Sequence, residues 1–473
     1  MITYNKVMNI AFIPIDNRPV CYTLAKQIAD INSDIKFFMP ERDWLGDLTK
    51  YADTKKLFKW LEELPTVDAI VISLDTVAYG GLISSRRSPD TFEKIKDRIY
   101  KLRDILSSKQ AKIYAFSSIM RISNNNINEE EKEYWNKWGK KIFDYSYQTH
   151  KLGSESCITN VIPVEILDDY MSTRKRNFEI NKIYLEWQKE GLFDTLVFSK
   201  DDCAEYGFNV IEAKALEASG GFVKTGADEI PLTLLARAVN NFQTHNNSLH
   251  ENVFHQLKVA PVFLAPEYKN LISNYEDISI EHSVRGQLEL AGCGVCEPCE
   301  ADILLYVNNF EQKQGEIVMN VPTALYDGEW NIPGKPYMIA DVRFANGADN
   351  AFVSKIFDKG LNSDFYGYSA WNTSANTLGS LICAAVVKYY ACNLRNGTNY
   401  DNRAFIDLQI VRFLDDWAYQ ANVRQILQSP DINEVSEKMK PFEKKVFNLL
   451  DCKEDISYDF PWKRLFEIEV KIN

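Results

Sequence analysis

Short apolar runs rich in β-branched residues recur along the chain, each followed by a polar cluster and then by a longer amphipathic stretch. "VMNIAFIPI" runs into Asp16, Asn17, Arg18 and Pro19, and "VDAIVISLD" ends at Asp75 before the glycines of "YGGL". "AKIYAFSSIMR" precedes the asparagines of "ISNNNIN", "DTLVFSK" precedes Asp201 and Asp202, and "GFVKTG" precedes Asp228 and Glu229. Further runs are "IKFFMP", "KVAPVFLAP", "ADILLYVNN", "YMIADVRFANGAD" and "FYGYSAWNTSANTLG". Runs of this length and composition read as buried strands. Between them "TKKLFKWLEEL", "SPDTFEKIKDRIYKLRDIL" and "VEILDDYMSTRKRNFEINKIYLEWQKEG" carry apolar residues at helical spacing. "INEEEKEYWNKWGKKIFDYSYQTHKL" reads as a helix with acids at its start and lysines later, the order a helix dipole favours.

The alternation of strand and helix predicts an α/β protein with a mainly parallel sheet and flanking helices. About ten strand candidates are present, and a (β/α)8-type barrel variant is the expected form, with an open sheet as the alternative. In either architecture ligands bind beyond the carboxyl ends of the strands, where the polar clusters stand. Residues 1–400 are expected to form the α/β catalytic region, with an internal boundary near 245–258, where "THNNSLHENVFHQ" is polar. From 401 the pattern becomes helical, through "NRAFIDLQIVRFLDDWAYQANVRQILQ" and "NEVSEKMKPFEKKVFNLL", so residues 401–473 are expected to be a helical region packed on the rest. The tail "YDFPWKRLFEIEV" reads as a final strand or an apolar clip.

Composition narrows the partners. The 473 residues carry a net charge of −12, which argues against nucleic acid, since phosphate binding needs a basic surface. No apolar run approaches the length of a membrane span, and a cytoplasmic protein without a membrane partner is expected. Three of the nine cysteines, Cys293, Cys296 and Cys299, share the stretch "CGVCEPC". That spacing suits part of a zinc or iron–sulfur site. No fourth ligand is evident, although His282 and Cys203 are available, so the stretch reads as a turn of reduced thiols and no cofactor is expected. The five histidines sit in polar stretches, which leaves carboxylates as the expected catalytic groups.

The most informative stretch is "SKDDCAEYG". Two carboxylates side by side at a strand exit cannot both ionise cheaply away from water, so one is pushed toward the role of acid and the other toward that of base. Asp201 and Asp202 are therefore the candidate catalytic pair, with Tyr206 close by; Asp202 also suits a helix N-cap. Candidate substrate contacts are Asp16 and Arg18 after the first strand, Asp75, Arg121, and Asp228 with Glu229, the last two also suited to capping a helix. Asp341 stands at a later strand end, near Asp349. Trp371 offers a stacking wall for a sugar ring, and Asn372 and Asn376 offer amides to hydroxyl groups. Capping explains much of "NTSANT" equally well. No GxxxxGK[ST] or GxGxxG spacing is present.

Together "IPIDNRPV", "ISLDTVAYGGLISSR", "SKDDCAEYG", "GADEIPLTLLAR", "NGADN" and "YSAWNTSANTLG" resemble the bacterial domain-of-unknown-function family 4127 across nearly the whole chain. That resemblance carries no activity with it. The Asp-Asp pair alone is similar to that of barrel glycosidases in which the substrate's N-acetyl group is the nucleophile. It implies that Asp201 orients the acetamido group, that Asp202 protonates the leaving oxygen, and that Trp371 and Asn372 lie in the sugar pocket. The leading expectation is a hydrolase of a glycosidic bond in a small-molecule or oligosaccharide substrate, such as an N-acetylhexosaminide. The alternatives are a metal-dependent hydrolase built on Asp16, Asp75, Asp201 and Asp228, and a non-catalytic protein that binds a small polar ligand.

Overall fold

The structure is a computed structural model that describes residues 7–153, 161–201, 204–247, 256–393 and 397–473. Strands β1 (Met8–Ile13), β2 (Ile35–Phe38), β3 (Ala69–Ser73), β4 (Lys112–Ile119), β5 (Thr195–Lys200) and β6 (Phe222–Thr225) form a first sheet. Its order is β2-β1-β3-β4-β5-β6, and every pairing is parallel. Of the next strands, β7 (Lys258–Phe263), β8 (Gly294–Val295), β9 (Ile303–Asn308), β11 (Tyr337–Asp341) and β13 (Phe365–Ser369) form a second parallel sheet, while β10 (Gly315–Glu316) pairs with β12 (Phe344–Ala345). The second sheet runs β8-β7-β9-β11-β13. Counted within each lobe, both sheets therefore follow the doubly wound order 2-1-3-4-5, the first with one strand added at its edge.

The expected closed barrel is replaced by these two open sheets. Both solutions bury a parallel sheet on two faces, and a list of apolar runs does not distinguish them. In β1 the alternation is plain: Ile10 and Phe12 face one core, Ala11 and Ile13 the other. The outer core packs against helices Thr54–Glu63, Phe92–Ser108 and Val164–Lys189, through Leu61, Ile99 and Tyr184 among others. The inner core is shared by both sheets. Helix Ile230–Asn247 packs on β3 and β4 and against helix Ser374–Asn393, which packs on β11 and β13. Helix Ser374–Asn393 is buried on nearly all sides, as its apolar composition requires. Gly379 makes the close approach possible: a Cβ there would lie 2.6 Å from Glu229 Cγ and 2.7 Å from Thr233 Oγ1.

Two further expectations change. The helix read from Ile127 begins only at Trp135, because Glu130 and Glu131 are held in a loop by ion pairs to Arg86 and Arg121. After residue 400 come helix Asn402–Arg412, a π-helical segment Phe413–Val423 and helix Ile432–Leu450, but the chain ends in an antiparallel pair, β14 (Ile456–Asp459) with β15 (Glu469–Ile472). The segment joining that pair returns to the first sheet. Trp462 Nε1 donates to Asn17 Oδ1 at 2.7 Å, and Arg42 pairs with Glu469 at 2.6 Å. No helix among the described residues is long and apolar enough to cross a membrane.

Candidate functional site

The carboxyl ends of both sheets open onto one cavity of about 260 Å³. From the first sheet come Asp16 and Arg18 after β1, Arg121 after β4, Lys200 and Asp201 at the end of β5, and Thr225 to Asp228 after β6. From the second come Asn372, Thr373 and Asn376 after β13, and Asn346 follows β12. Tyr275 and Glu276 line it from the loop before helix Ile280–Leu290, and Trp462 and Phe466 from the C-terminal segment.

Backbone strain concentrates here. Tyr275, Asn346, Asn372 and Trp462 all line the cavity at φ of 67°, 59°, 58° and 55°. Asparagine tolerates this left-handed conformation, but each bulky residue held there costs about 1–3 kcal/mol, and such residues cluster at ligand sites. Gly226 adopts φ +116°, and a Cβ on it would lie 1.8 Å from Glu229 Oε1.

Arg18 is the hub of one wall. Its Nη2 lies 2.8 Å from Asp16 Oδ2 and 2.5 Å from Asp228 Oδ1, and its Nη1 lies 3.0 Å from Glu467 Oε1. Burial, with Asp16 nearby, raises the Asp228 pKa against the pull of Arg18. Burial likewise lifts Glu467 to about 7. Ligand atoms of Asp16, Cys21 and Asp228 lie within 4.8 Å of one another, but Arg18 Nη2 already sits among them, 3.7 Å from Cys21 Sγ. A guanidinium thus holds the position that a divalent cation would take. Nor do the four aspartates of the expected metal set come together, since Asp75 lies elsewhere.

The opposite wall is a second ion-pair network. Arg121 reaches Glu130 at 2.9 Å, Glu131 at 3.2 Å and Asp201 at 3.4 Å. Burial alone would raise the Glu130 pKa, yet Arg121, Arg86 and Arg464 hold it far below the usual range. Lys200 pairs with Asp277, whose carboxyl stays below its ordinary value despite burial.

Glu276 differs from all of these. It is buried, its Oε1 accepts from the Ala375 N–H at 2.7 Å, and among the described residues no cation is bonded to it and its Oε2 has no hydrogen-bond partner. Burial raises its pKa to about 7, against the opposing effects of Ser283 and the Ala375 N–H. The Asn376 Oδ1 is also buried without a partner among the described residues.

Seven of the residues singled out in the sequence meet at this cavity: Asp16, Arg18, Arg121, Asp201, Asp228, Asn372 and Asn376. Asp202 lies outside the described residues. The others stand elsewhere. Asp75 turns into the sheet and accepts from the Ser118 N–H at 2.7 Å, and burial lifts its pKa to about 7. Glu229 is folded back on the Ala227 N–H and on Gln287 Nε2. Asp341 is bound by Asn308, by Tyr368 and by the Asp349 N–H. Tyr206 rests edge-on against Tyr147 and His150. Trp371 is buried behind the site, 6.4 Å from Phe466, so the aromatic wall comes from Trp462 and Phe466 instead.

Glu276, Lys200, Asn346 and Trp462 were not singled out. Lys200 stands beside Asp201, and only its charge marked it. Trp462 lay in the aromatic and basic string "FPWKRLF". Glu276 sits in a polar loop with no local signal. Among the described residues Cys293, Cys296 and Cys299 do not converge as ligands, and Cys293 is buried beside Asn240.

Two doubly wound lobes with a polar cleft between their strand ends define the class of this molecule. The chain belongs to DUF4127, a family of proteins of unknown function, whose profile matches residues 10–471. No curated protein matches it.

Proposed function

We propose that this protein is a carbohydrate-active hydrolase that cleaves a glycosidic bond by carboxylate acid–base catalysis. The observation that carries the reading is the pairing of unlike carboxyl groups on one cavity: Glu276, pushed up to about 7 by burial, and Asp201, beside the Arg121 guanidinium. A carboxylic acid still protonated near neutrality can give its proton to a leaving oxygen. In the proposed step the carboxyl of Glu276, which lines the cavity, gives its proton to the glycosidic oxygen and the bond from the sugar's anomeric carbon to that oxygen breaks. A water then bonds to the anomeric carbon through its oxygen and gives its proton to the Asp201 carboxylate, so that the products are the free sugar and the alcohol of the leaving group. Asn346, Asn372 and Asn376 suit sugar hydroxyls, and Trp462 suits a ring face. An N-acetylhexosaminide is the finer form of this reading, with Asp202 as a further acid.

A panel of chromogenic glycosides tests it. Turnover is expected for at least one member, falling about 100-fold or more in Glu276→Gln and in Asp201→Asn while circular dichroism is unchanged. Absence of turnover across the panel sinks the reading. Ligand-induced thermal stabilisation without turnover favours a binding protein, and loss of activity on chelation favours the metal hydrolase.

A further inference from the structure

The cleft continues outward past Arg121. A second hollow of about 460 Å³ shares Arg121, Glu130 and Phe466 with the main cavity and adds Arg424 and Arg464. The two added arginines are held in place by stacking. The Arg464 guanidinium lies 4.9 Å from the Phe466 ring centroid and 4.6 Å from that of Trp462, and the Arg424 guanidinium lies 5.3 Å from Phe466. Their donors are not used up. Arg464 Nη1 pairs with Glu130 at 2.8 Å and lies 3.8 Å from Glu129, which also lines the hollow, while its buried Nη2 has no hydrogen-bond partner among the described residues. Arg424 donates to Gln420 Oε1 at 2.8 Å and has no carboxylate within ion-pair distance among the described residues. A guanidinium carries five N–H donors in a planar fork and loses much hydration when enclosed, so Arg424, which no carboxylate neutralises among the described residues, leaves an unmet demand for anionic oxygens, with the positive charge of Arg464 and Arg121 beside it.

We propose that this outer hollow is a subsite for an anionic group, a carboxylate or a phosphate, carried by the molecule that occupies the main cavity. The inference deepens the hydrolase reading and rests on it for the sugar: the substrate is an acidic glycoside, with its anion on Arg424 and Arg464 and its ring over the asparagines. The planar fork binds two oxygens at once, and a carboxylate or a phosphate presents them at that spacing.

Calorimetric titration of the full chain with glucose, glucuronate and glucose 6-phosphate tests this without relying on turnover. At low ionic strength at least one charged sugar is expected to bind about tenfold or more tightly than glucose, and which one does so names the anion. The advantage is expected to shrink to about threefold or less in Arg424→Gln and to fall with added salt. Arg464→Gln removes a second positive charge lining the hollow and is expected to lower the same advantage, which keeps the test open should Arg424→Gln fold poorly. Equal affinity for all three sugars overturns the proposal, as does an advantage that survives in both variants. Retained anion preference without hydrolysis of any glycoside sinks the hydrolase and leaves the subsite standing; hydrolysis confined to neutral glycosides does the reverse.

Discussion

Arg18 shows what one residue does in this site. Three carboxylates, Asp16, Asp228 and Glu467, converge on a single buried guanidinium. Two of the three have raised pKa values because burial and their neighbours outweigh the one cation. Removing one partner from a buried charge cluster costs about 3–5 kcal/mol, since the remaining charges lie out of reach of water. Arg18→Met is accordingly expected to destabilise the protein by about that amount at pH 7, as read by urea unfolding. Part of the loss should return at pH 5, where the orphaned carboxyls take up protons. A loss that does not change with pH would mean that Arg18 acts through packing alone. Glu276 is the contrasting case: no cation among the described residues is bonded to it, and a proton is the cheapest way to neutralise it.

At the scale of elements, helices Ile230–Asn247 and Ser374–Asn393 join the lobes. Each was legible as an apolar helix, but their contact was not. It depends on Gly379, where any side chain meets Glu229 and Thr233. Gly379→Ala should favour the helix intrinsically, yet overpacking at this crossing is expected to cost about 1–3 kcal/mol net. Urea midpoints with an unchanged m-value would check it, and a stabilised variant would show that the crossing has room. The strands were read nearly correctly for the same reason that their closure was not. Apolar runs report burial on both faces, and barrels and doubly wound sheets bury strands alike. The composition of Glu129 to Glu131 reads as a helix start, whereas Arg121, after the preceding strand, and Arg86, from a remote element, hold Glu130 and Glu131 in a loop.

For the whole molecule, the buried carboxyls set how stability depends on pH. Glu276 and Glu467 rise to about 7 and Glu229 to about 8, each from an ordinary value of 4.5 and each chiefly through burial. A folded-state pKa above the unfolded one means that the native chain holds protons that the unfolded chain releases. The contribution is full below about 4.5 and is lost as pH rises toward 7–8, with each pH unit between the two pKa values worth about 1.4 kcal/mol per group. Glu130 and Asp277 act oppositely, but only as pH falls below the ordinary carboxylate range. Unfolding midpoints are therefore expected to decline from pH 5 to pH 8, and Glu229→Gln to flatten the decline even as it loses the Ala227 hydrogen bond. A midpoint that rises across this window would contradict the assignment.

The sequence by itself determined the element types, because each strand or helix is set by side-chain period within a few residues. It also marked the strand exits where Asp16, Arg121, Asp201 and Asp228 stand, because polar residues after a buried strand signal the mouth of a parallel sheet. Only the tertiary structure decided that there are two sheets, that Asp75, Glu229 and Asp341 turn inward to hydrogen bonds, and that Glu276 and Trp462 reach the cavity. Most of those outcomes depend on partners tens to hundreds of residues away, and neither pattern nor composition encodes the distance between side chains that only folding brings together.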